Sequence, residues 1–463
     1  MFNISADAQI SPEFLGKYIG KHKALVRNRY QPLQDAYENR YDIYRLPKKP
    51  GWKTDNRVSI NYAKYIVDTM SGFFMGVPVK TGSDKDQVKA YMELLDRYND
   101  ADDNNAELSK IADIHGRAYE MYFVDDSGNI GLSHLSPLTA FMIYDNSILE
   151  RPLFFIRYYK DENGVEWGSW SDSTVVQHFV NHGSYQWVDE PRQHGFSGVP
   201  ATEFVNNEEC MGLFEGVLPA INQYNKALSE KCNDVDYFAD AYLKILGKQV
   251  ETDDLEFLRR NRIINFVGDT DGELTVDFLQ KPNADATQEN LIARLERLIF
   301  QISMVTNIND ENFGTSSGIA LRYRLASMSN LAQVKERKFT SGMNRRYKLI
   351  FSNPISRGHG VAEDDWLSVN YHFTRNYPVN VMDEAQTAQT LEGIVSKETQ
   401  LKVLSIVDSP EAEMERMNKE NEEAQKQQEE RFGAAYGFNN PNKALDEPFL
   451  TSQQTARVAN NAT

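Results

Sequence analysis

Two long amphipathic stripes that bracket a compact insertion constrain this 463-residue chain more than any other feature. Between 213 and 239, Leu213, Val217, Ile221, Tyr224, Leu228, Cys232, Val235 and Ala239 recur at steps of three or four. That spacing predicts one long helix, with Pro219 in its first turn or at a kink. From 285 to 305 a second stripe runs through Leu291, Leu295, Leu298, Ile302 and Val305, and Asp285 with Gln288 makes a capping-box pattern at its start. Between the stripes, LEFLRR reads as a short helix, and RIINFV and LTVDFL flank the turn GDTDGE as a β-hairpin. Two helices that enter and leave one small unit must run side by side and antiparallel, carrying the unit at their far end.

The flanking segments change period. Residues 12 to 45 place Phe14, Leu15, Tyr18, Ile19, Leu25 and Val26 among Lys and Arg, a basic helical segment stopped by the PKKPGW turn. From 57 to 78, Ile60, Ala63, Ile66, Val67 and Met70 share one face of a packing helix. From 118 to 188, AYEMYFVD, AFMIYD, LFFIRYYK and TVVQHFV are separated by turn clusters, which predicts a mostly antiparallel sheet. A third helix is expected to run to about 350, its stripe of Leu321, Leu325, Met328, Leu331 and Ala332 giving way to Lys335, Arg337, Lys338, Arg345, Arg346 and Lys348. WLSVNYHF then alternates as a strand that rejoins the earlier sheet. Residues 381 to 409 read as two short helices, and the Glu-, Gln- and Asn-rich run after 411 ends in a mobile tail.

Composition narrows the function classes. A formal net charge of -17 argues against a protein that coats duplex DNA, because that affinity comes from Lys and Arg displacing counterions. Contact with DNA that is not gripped stays open. No run approaches the roughly 18 apolar residues of a membrane-spanning helix, and MFNISADAQISPEF lacks the pattern of a secretory signal, so synthesis in the cytosol is expected. Cys210 and Cys232 are too few for a disulfide framework or a thiolate zinc site, and read as half-buried small apolar residues.

Catalytic patterns are sparse. Gly314-Thr-Ser316-Ser-Gly318 fits G-x-S-x-G, but the preceding NINDENF is polar, whereas a nucleophile elbow needs a core strand there, so a loop is the better reading. Asp269, Asp271 and Gly272 resemble part of a calcium loop, yet Val267 and Phe278 would occupy positions that require carboxylates. His115 lies two residues from an Asp on a helix, where the side chains diverge, and reads as a packing histidine. The chain has no P-loop, H-E-x-x-H or G-x-G-x-x-G, which counts against an ATP-driven motor.

The order of these segments resembles that of the portal proteins of tailed double-stranded DNA bacteriophages, of the siphophage type. Local strings carry the resemblance further: NRVSINYAKYIVDTMSGFFMGVPV, LSPLTAFMIYDN, VPATEFVNNEE, SGIALRYRL and NRRYKLIF, spread over most of the chain in family order. It implies an α+β, mainly helical portal fold, assembled as a ring. Residues 1–212 would be a β-rich wing, 213–239 the first stem helix, 240–282 a small α/β clip and 283–306 the second stem helix. The tunnel loop would be 307–318, the tunnel helix and a returning wing strand 319–380, the helical crown 381–425, and the mobile acidic and polar tail 426–463.

By the same resemblance, a ring of twelve subunits at one capsid vertex would initiate shell assembly and pass double-stranded DNA during packaging and ejection, without sequence specificity. The implied partners are further copies of the chain, the terminase large subunit, the head-tail adaptor, and the major capsid and scaffolding proteins. The protein would be made in the host cytoplasm and reside in the virion, without a membrane. Asn309, Asp310, Glu311, Asn312, Phe313 and Gly314 are the candidates for the channel constriction, since polar groups beside glycines can shift without unfolding the helices. Lys335, Arg337, Lys338, Arg345 and Arg346 are candidates for a DNA-facing or inter-subunit surface, and Arg259, Arg260 and Arg262 for clip contacts with the motor or connector. No enzyme activity, cofactor, metal or catalytic residue is expected. A capsid scaffold or adaptor without a DNA channel, and a serine hydrolase using Ser316, are the alternatives.

Overall fold

Ser11 opens the first helix, its hydroxyl accepting from the Phe14 N–H at 3.1 Å with Pro12 at the first helical position. This helix (α1, Pro12–Leu25) follows a short strand (β1, Phe2–Ile4) and runs through a π-helical turn at Val26–Tyr30 into α2 (Gln31–Tyr37). The computed structural model describes residues 2–50, 53–239, 243–246, 263–266, 275–278, 285–307, 323, 325–376, 381–404, 406–407 and 409–435. The chain divides into two compact units, Met1–Tyr377 and Pro378–Thr463.

In the first unit, α3 (Tyr62–Met75), capped by the Asn61 side chain, buries Ala63, Ile66, Val67 and Met70. Ile60, grouped with them by sequence, precedes the helix and is exposed. Then come β2 (Lys80–Ser83), α4 (Asp86–Tyr98) and α5 (Ala101–His115). Gly116 ends α5 at φ +83, where a Cβ would lie 1.9 Å from the Cys210 carbonyl oxygen, so only glycine fits this crossing.

The β region follows: β3 (Arg117–Val124), β4 (Ile130–Leu135), β5 (Ala140–Asp145), β6 (Pro152–Lys160), β7 (Glu166–Ser171), β8 (Val175–Asn181), β9 (Tyr185–Trp187), β10 (Arg192–Gln193) and β11 (Ala201–Val205). It forms two sheets where the sequence suggested one. One has the order β1-β5-β6-β7-β8-β10, with β9 also on β8, and the other has the order β11-β3-β4. The larger sheet is covered on both faces. Phe141, Phe154, Ile156 and Phe179 pack with Leu15, Tyr18 and Ile19 of α1, while Met142 and Phe155 pack with Tyr119, Val199 and Ala201 on the other side. Double coverage explains why every residue of β5 is buried.

His22 lies in the α1 core, stacked on Phe141 with its Nδ1 2.9 Å from the Tyr158 hydroxyl. Burial pulls its pKa down to about 4, and burial likewise holds His115, whose Nε2 meets the Gln34 side chain at 3.1 Å, at about 3. Both values lie below that of the unfolded chain, so protons favour the unfolded state. The contribution is intact above pH ~6.5 and is lost as the pH falls toward the folded values, on the order of 3 kcal/mol for His22 well below pH 4. The expected result in urea titrations is that His22→Gln and His115→Gln each flatten the loss of stability between pH 6.5 and 4. Parallel curves would remove these histidines as its cause.

After β11, a 3-10 turn leads into α6 (Leu218–Ala239), with Pro219 in its first turn. Strands β12 (Leu243–Leu246), β13 (Ile263–Phe266) and β14 (Thr275–Phe278) come next. The expected hairpin of 263–266 and 275–278 is corrected here: β12 lies between them, parallel to β13 and antiparallel to β14. Leu243-Lys-Ile-Leu246 supplies the central strand, to which the sequence reading gives no element of its own. Then follow α7 (Asp285–Ser303), α8 (Ala326–Ser352), α9 (Pro354–Gly358) and β15 (Val369–His372). β15 pairs with β2 in a separate two-stranded sheet and does not rejoin the large one. The first half of WLSVNYHF ends a 3-10 turn, because Asp365 accepts from the Ala362 N–H at 2.7 Å and from Lys85 at 2.5 Å.

The second unit contains α10 (Val381–Thr390), α11 (Lys397–Leu401) and α12 (Pro410–Ala435). Gln400 ties α11 to α10 by donating to the Ala388 carbonyl at 2.6 Å. α12 runs past 425, where the crown reading ends, to Ala435, since Glu, Gln, Lys, Met and Ala are good helix formers whatever their polarity. The rest of the expected tail lies outside the described residues.

Candidate functional site

The two bracketing helices pair along their length. Lys231 and Glu289 form an ion pair across them, and Gln288 donates to Asp234 at 2.8 Å. Ile221 and Tyr224 of α6 and Ile292 and Ile299 of α7 are buried in the main core, where the Tyr62 ring meets Tyr224 at 5.0 Å and Phe300 at 5.4 Å. The apolar arc of α7 is wider than its partner covers. Leu291 is 51% exposed and Ile302 60% exposed, although both belong to the stripe seen in the sequence.

α6 also carries a polar stripe that sequence periodicity missed. Asn225, Ser229 and Asn233, one helical turn apart, are all buried. They face an extended segment running in the opposite direction: Asn233 Oδ1 accepts from the Asn56 N–H at 2.6 Å, Ser229 Oγ from Val58 at 2.9 Å and Asn225 Oδ1 from Ile60 at 2.8 Å. Ser229 Oγ also donates to the Val58 carbonyl at 3.0 Å, and Lys49 closes the end on Glu230 at 2.8 Å. Alternate N–H groups of a strand are thus matched to every fourth residue of a helix, the two periods that put contacts on one side of each. At its start, α6 is held by Arg29, which bonds both oxygens of Glu215, at 2.7 and 2.9 Å, and the Cys210 carbonyl at 2.7 Å.

The basic residues of α8 do not form one surface. Lys335 is 2% exposed and Arg346 1% exposed. Lys335 Nζ lies 2.5 Å from Asp113 Oδ2 and 4.9 Å from the centre of the Phe74 ring, and Ser71 Oγ donates to the same carboxylate at 3.1 Å. Burial raises the Asp113 pKa and lowers that of Lys335, and each partner opposes the other's shift. Arg346 Nε donates to Glu120 at 2.7 Å and its Nη2 to Asn105 at 2.7 Å, while Asn104 and Tyr122 donate to Glu120 at 2.6 and 2.9 Å. Arg345 bonds the carbonyls of Ala201 and Val199 at 3.3 and 3.4 Å, and Lys338 pairs with Glu208. Arg337 is exposed.

The reading of Lys335 and Arg346 as surface groups is therefore corrected: they continue the buried stripe Met328, Ala332, Phe339, Met343, Ile350 at steps of three and four. Their charges fix α8 to α5 and β3. The constriction candidates Asn309 to Gly314, the clip candidates Arg259, Arg260 and Arg262, and Ser316, Asp269 and Asp271 lie outside the described residues.

Among the described residues, no group of three or more His, Cys, Asp or Glu is placed to hold a metal ion. None of the described helices is long and apolar enough to cross a membrane. What the geometry offers is mechanical: a paired-helix element, strapped along one side and only partly covered on the other, beside a long helix fastened by interior charges. Residues 16–427 match the family described as Phage portal protein, SPP1 Gp6-like, and the chain belongs to that family of phage portal proteins. It is 26% identical over 398 residues to the portal protein of Bacillus phage SPP1, covering 80% of this chain and 76% of that protein. It is 22% identical over 428 residues to the portal protein of Clostridium phage phiCD119, covering 85% and 89%.

Proposed function

We propose that the chain assembles into a ring of twelve at one vertex of the capsid, and that double-stranded DNA enters and leaves the head through its channel. Family membership over residues 16–427 carries this reading. The partly uncovered apolar arc of α7 supports it, since a heterologous contact repeated about a rotation axis closes a ring. The net charge of -17, repeated in every copy, suits a conduit that repels phosphates and lets the duplex slide. In this role the chain is a structural conduit with no catalytic step of its own. The ring would nucleate shell assembly with the major capsid and scaffolding proteins, dock the terminase large subunit during filling and hold the head-tail adaptor afterwards.

Mass measurement with electron microscopy of the purified chain tests the reading. The expected particle has about twelve chain masses and a central hole wide enough for duplex DNA, roughly 20 Å across. A solid particle, or a monomer under conditions that permit head assembly, would overturn it.

A further inference from the structure

A cavity of about 810 Å³ opens between the large and small sheets, walled by apolar side chains that include Met121, Leu135 and Val176. Its floor is a cross-strand row of the large sheet, in which Arg157 faces Ser169 and Ser169 faces His178. Arg157 donates from Nε to Ser169 Oγ at 3.0 Å, and none of the described carboxylates pairs with it. Burial pulls its pKa below the ordinary value, with only Tyr159 opposing. Arg192 on the rim adds a second cation. The nearby acid, Asp189, is engaged by the His178 N–H and ring, both at 2.8 Å, and lies 3.8 Å from Arg192. The other imidazole, His194, is committed at both nitrogens, to the Asp172 carbonyl and the Phe196 N–H, each at 3.1 Å. A half-buried guanidinium with no carboxylate partner among the described residues, at the base of a mainly apolar cavity, suits a carboxylate carried on an apolar body.

The chain displays such a group elsewhere. In the β5–β6 hairpin, Ile148 is 100% exposed and Leu149 64% exposed, beside the exposed Glu150, which Asn3 Nδ2 holds at the rim of the turn by donating to its Oε1 at 3.0 Å. The tip is held stiffly. Asp145 Oδ1 accepts from Ser147 Oγ at 2.7 Å and from the Arg151 N–H at 2.9 Å, and Glu150 takes a left-handed φ of 43°. Presenting two large apolar groups to water on a preorganised turn is costly unless a partner receives them.

We propose that Ile148, Leu149 and Glu150 of one copy insert into the cavity of the adjacent copy, with the Glu150 carboxylate on Arg157. Knob and hole are different surfaces of the same subunit, so the contact is head to tail and propagates around a ring. The proposal rests on the ring reading above, and adds to it a charge-specific contact between sheet-bearing regions.

Charge exchange tests it on the full-length chain. Glu150→Arg alone and Arg157→Glu alone are each expected to lower the ring fraction in sedimentation more than tenfold, and the double exchange to restore at least half. Glu150 is exposed, so its variant folds whether or not Arg157→Glu does, and circular dichroism verifies each. Leu149→Cys with Val176→Cys is expected to give disulfide-linked multimers in assembled rings. Rings that form normally with both single variants, and no linked multimers, would overturn the docking while leaving the ring intact. Absence of rings from the unaltered chain would overturn both.

Discussion

Replacing Lys335 by Met is expected to destabilise the folded chain by roughly 3–5 kcal/mol, because it leaves the Asp113 carboxylate in the interior without its cation. Asp113 would then keep the Ser71 hydroxyl as a donor but would have to take up a proton to stay buried, as the upward push on its pKa by burial already indicates. Adding Asp113→Leu is expected to return most of the loss, since two apolar side chains need no desolvation of charge. Urea unfolding of the two single variants and the double variant measures the coupling. A Lys335→Met chain as stable as the unaltered one would mean that the pair does not hold α8 in place. Partial recovery in the double variant would measure what Ser109 and Asn206, which also reach this pair, contribute on their own.

A second large effect is expected at assembly with folding left untouched. Leu291→Asp with Ile302→Asp changes two residues that the single chain leaves mostly in water, so stability should move by no more than about 0.5 kcal/mol each. If the outer arc of α7 is covered by the neighbouring copy, burial of the two side chains contributes at least roughly 3 kcal/mol per contact, a loss of about 100-fold in association. Light scattering should then report folded monomers where the unaltered chain is expected to give rings. Rings of normal yield from this variant would place the inter-subunit contact elsewhere.

How much of this was legible in the sequence depends on whether one face of an element meets one kind of neighbour. The α6 and α7 stripes were readable because apolar spacing at three and four residues has no competing explanation over such lengths. Lys335 and Arg346 show that position outweighs charge. Both fall on the helical spacing set by Met328, Ala332, Phe339 and Met343, and the acids that neutralise them, Asp113 and Glu120, are more than 200 residues away in the chain. The strap at Asn56 to Ile60 was invisible for a related reason: its hydrogen bonds come from backbone groups, which leave no trace in residue type. β12 has no signature in the sequence because four residues are too few to establish a period. The helical crown reading reaches only 425, whereas the helix continues to Ala435, because helix propensity does not depend on hydropathy. The cavity around Arg157 could not have been foreseen, since it exists only where two sheets splay apart.

The three rungs between Asn56–Ile60 and Asn225–Asn233 span eight residues of α6, about 12 Å along its axis. Rungs at three levels resist both sliding and spinning, because a slip of one residue turns the helix by about 100° and carries all three side chains off the strap together. The helix is therefore keyed to the segment beside it, like a shaft in a slot. A torque or thrust applied along α6 is not absorbed by local rotation but is handed on through Asn61 and Tyr41, whose side chains bond each other at 3.0 Å, to the body of the subunit. In the proposed ring, a change in bore would then come from tilting keyed units as wholes, not from helices turning in place.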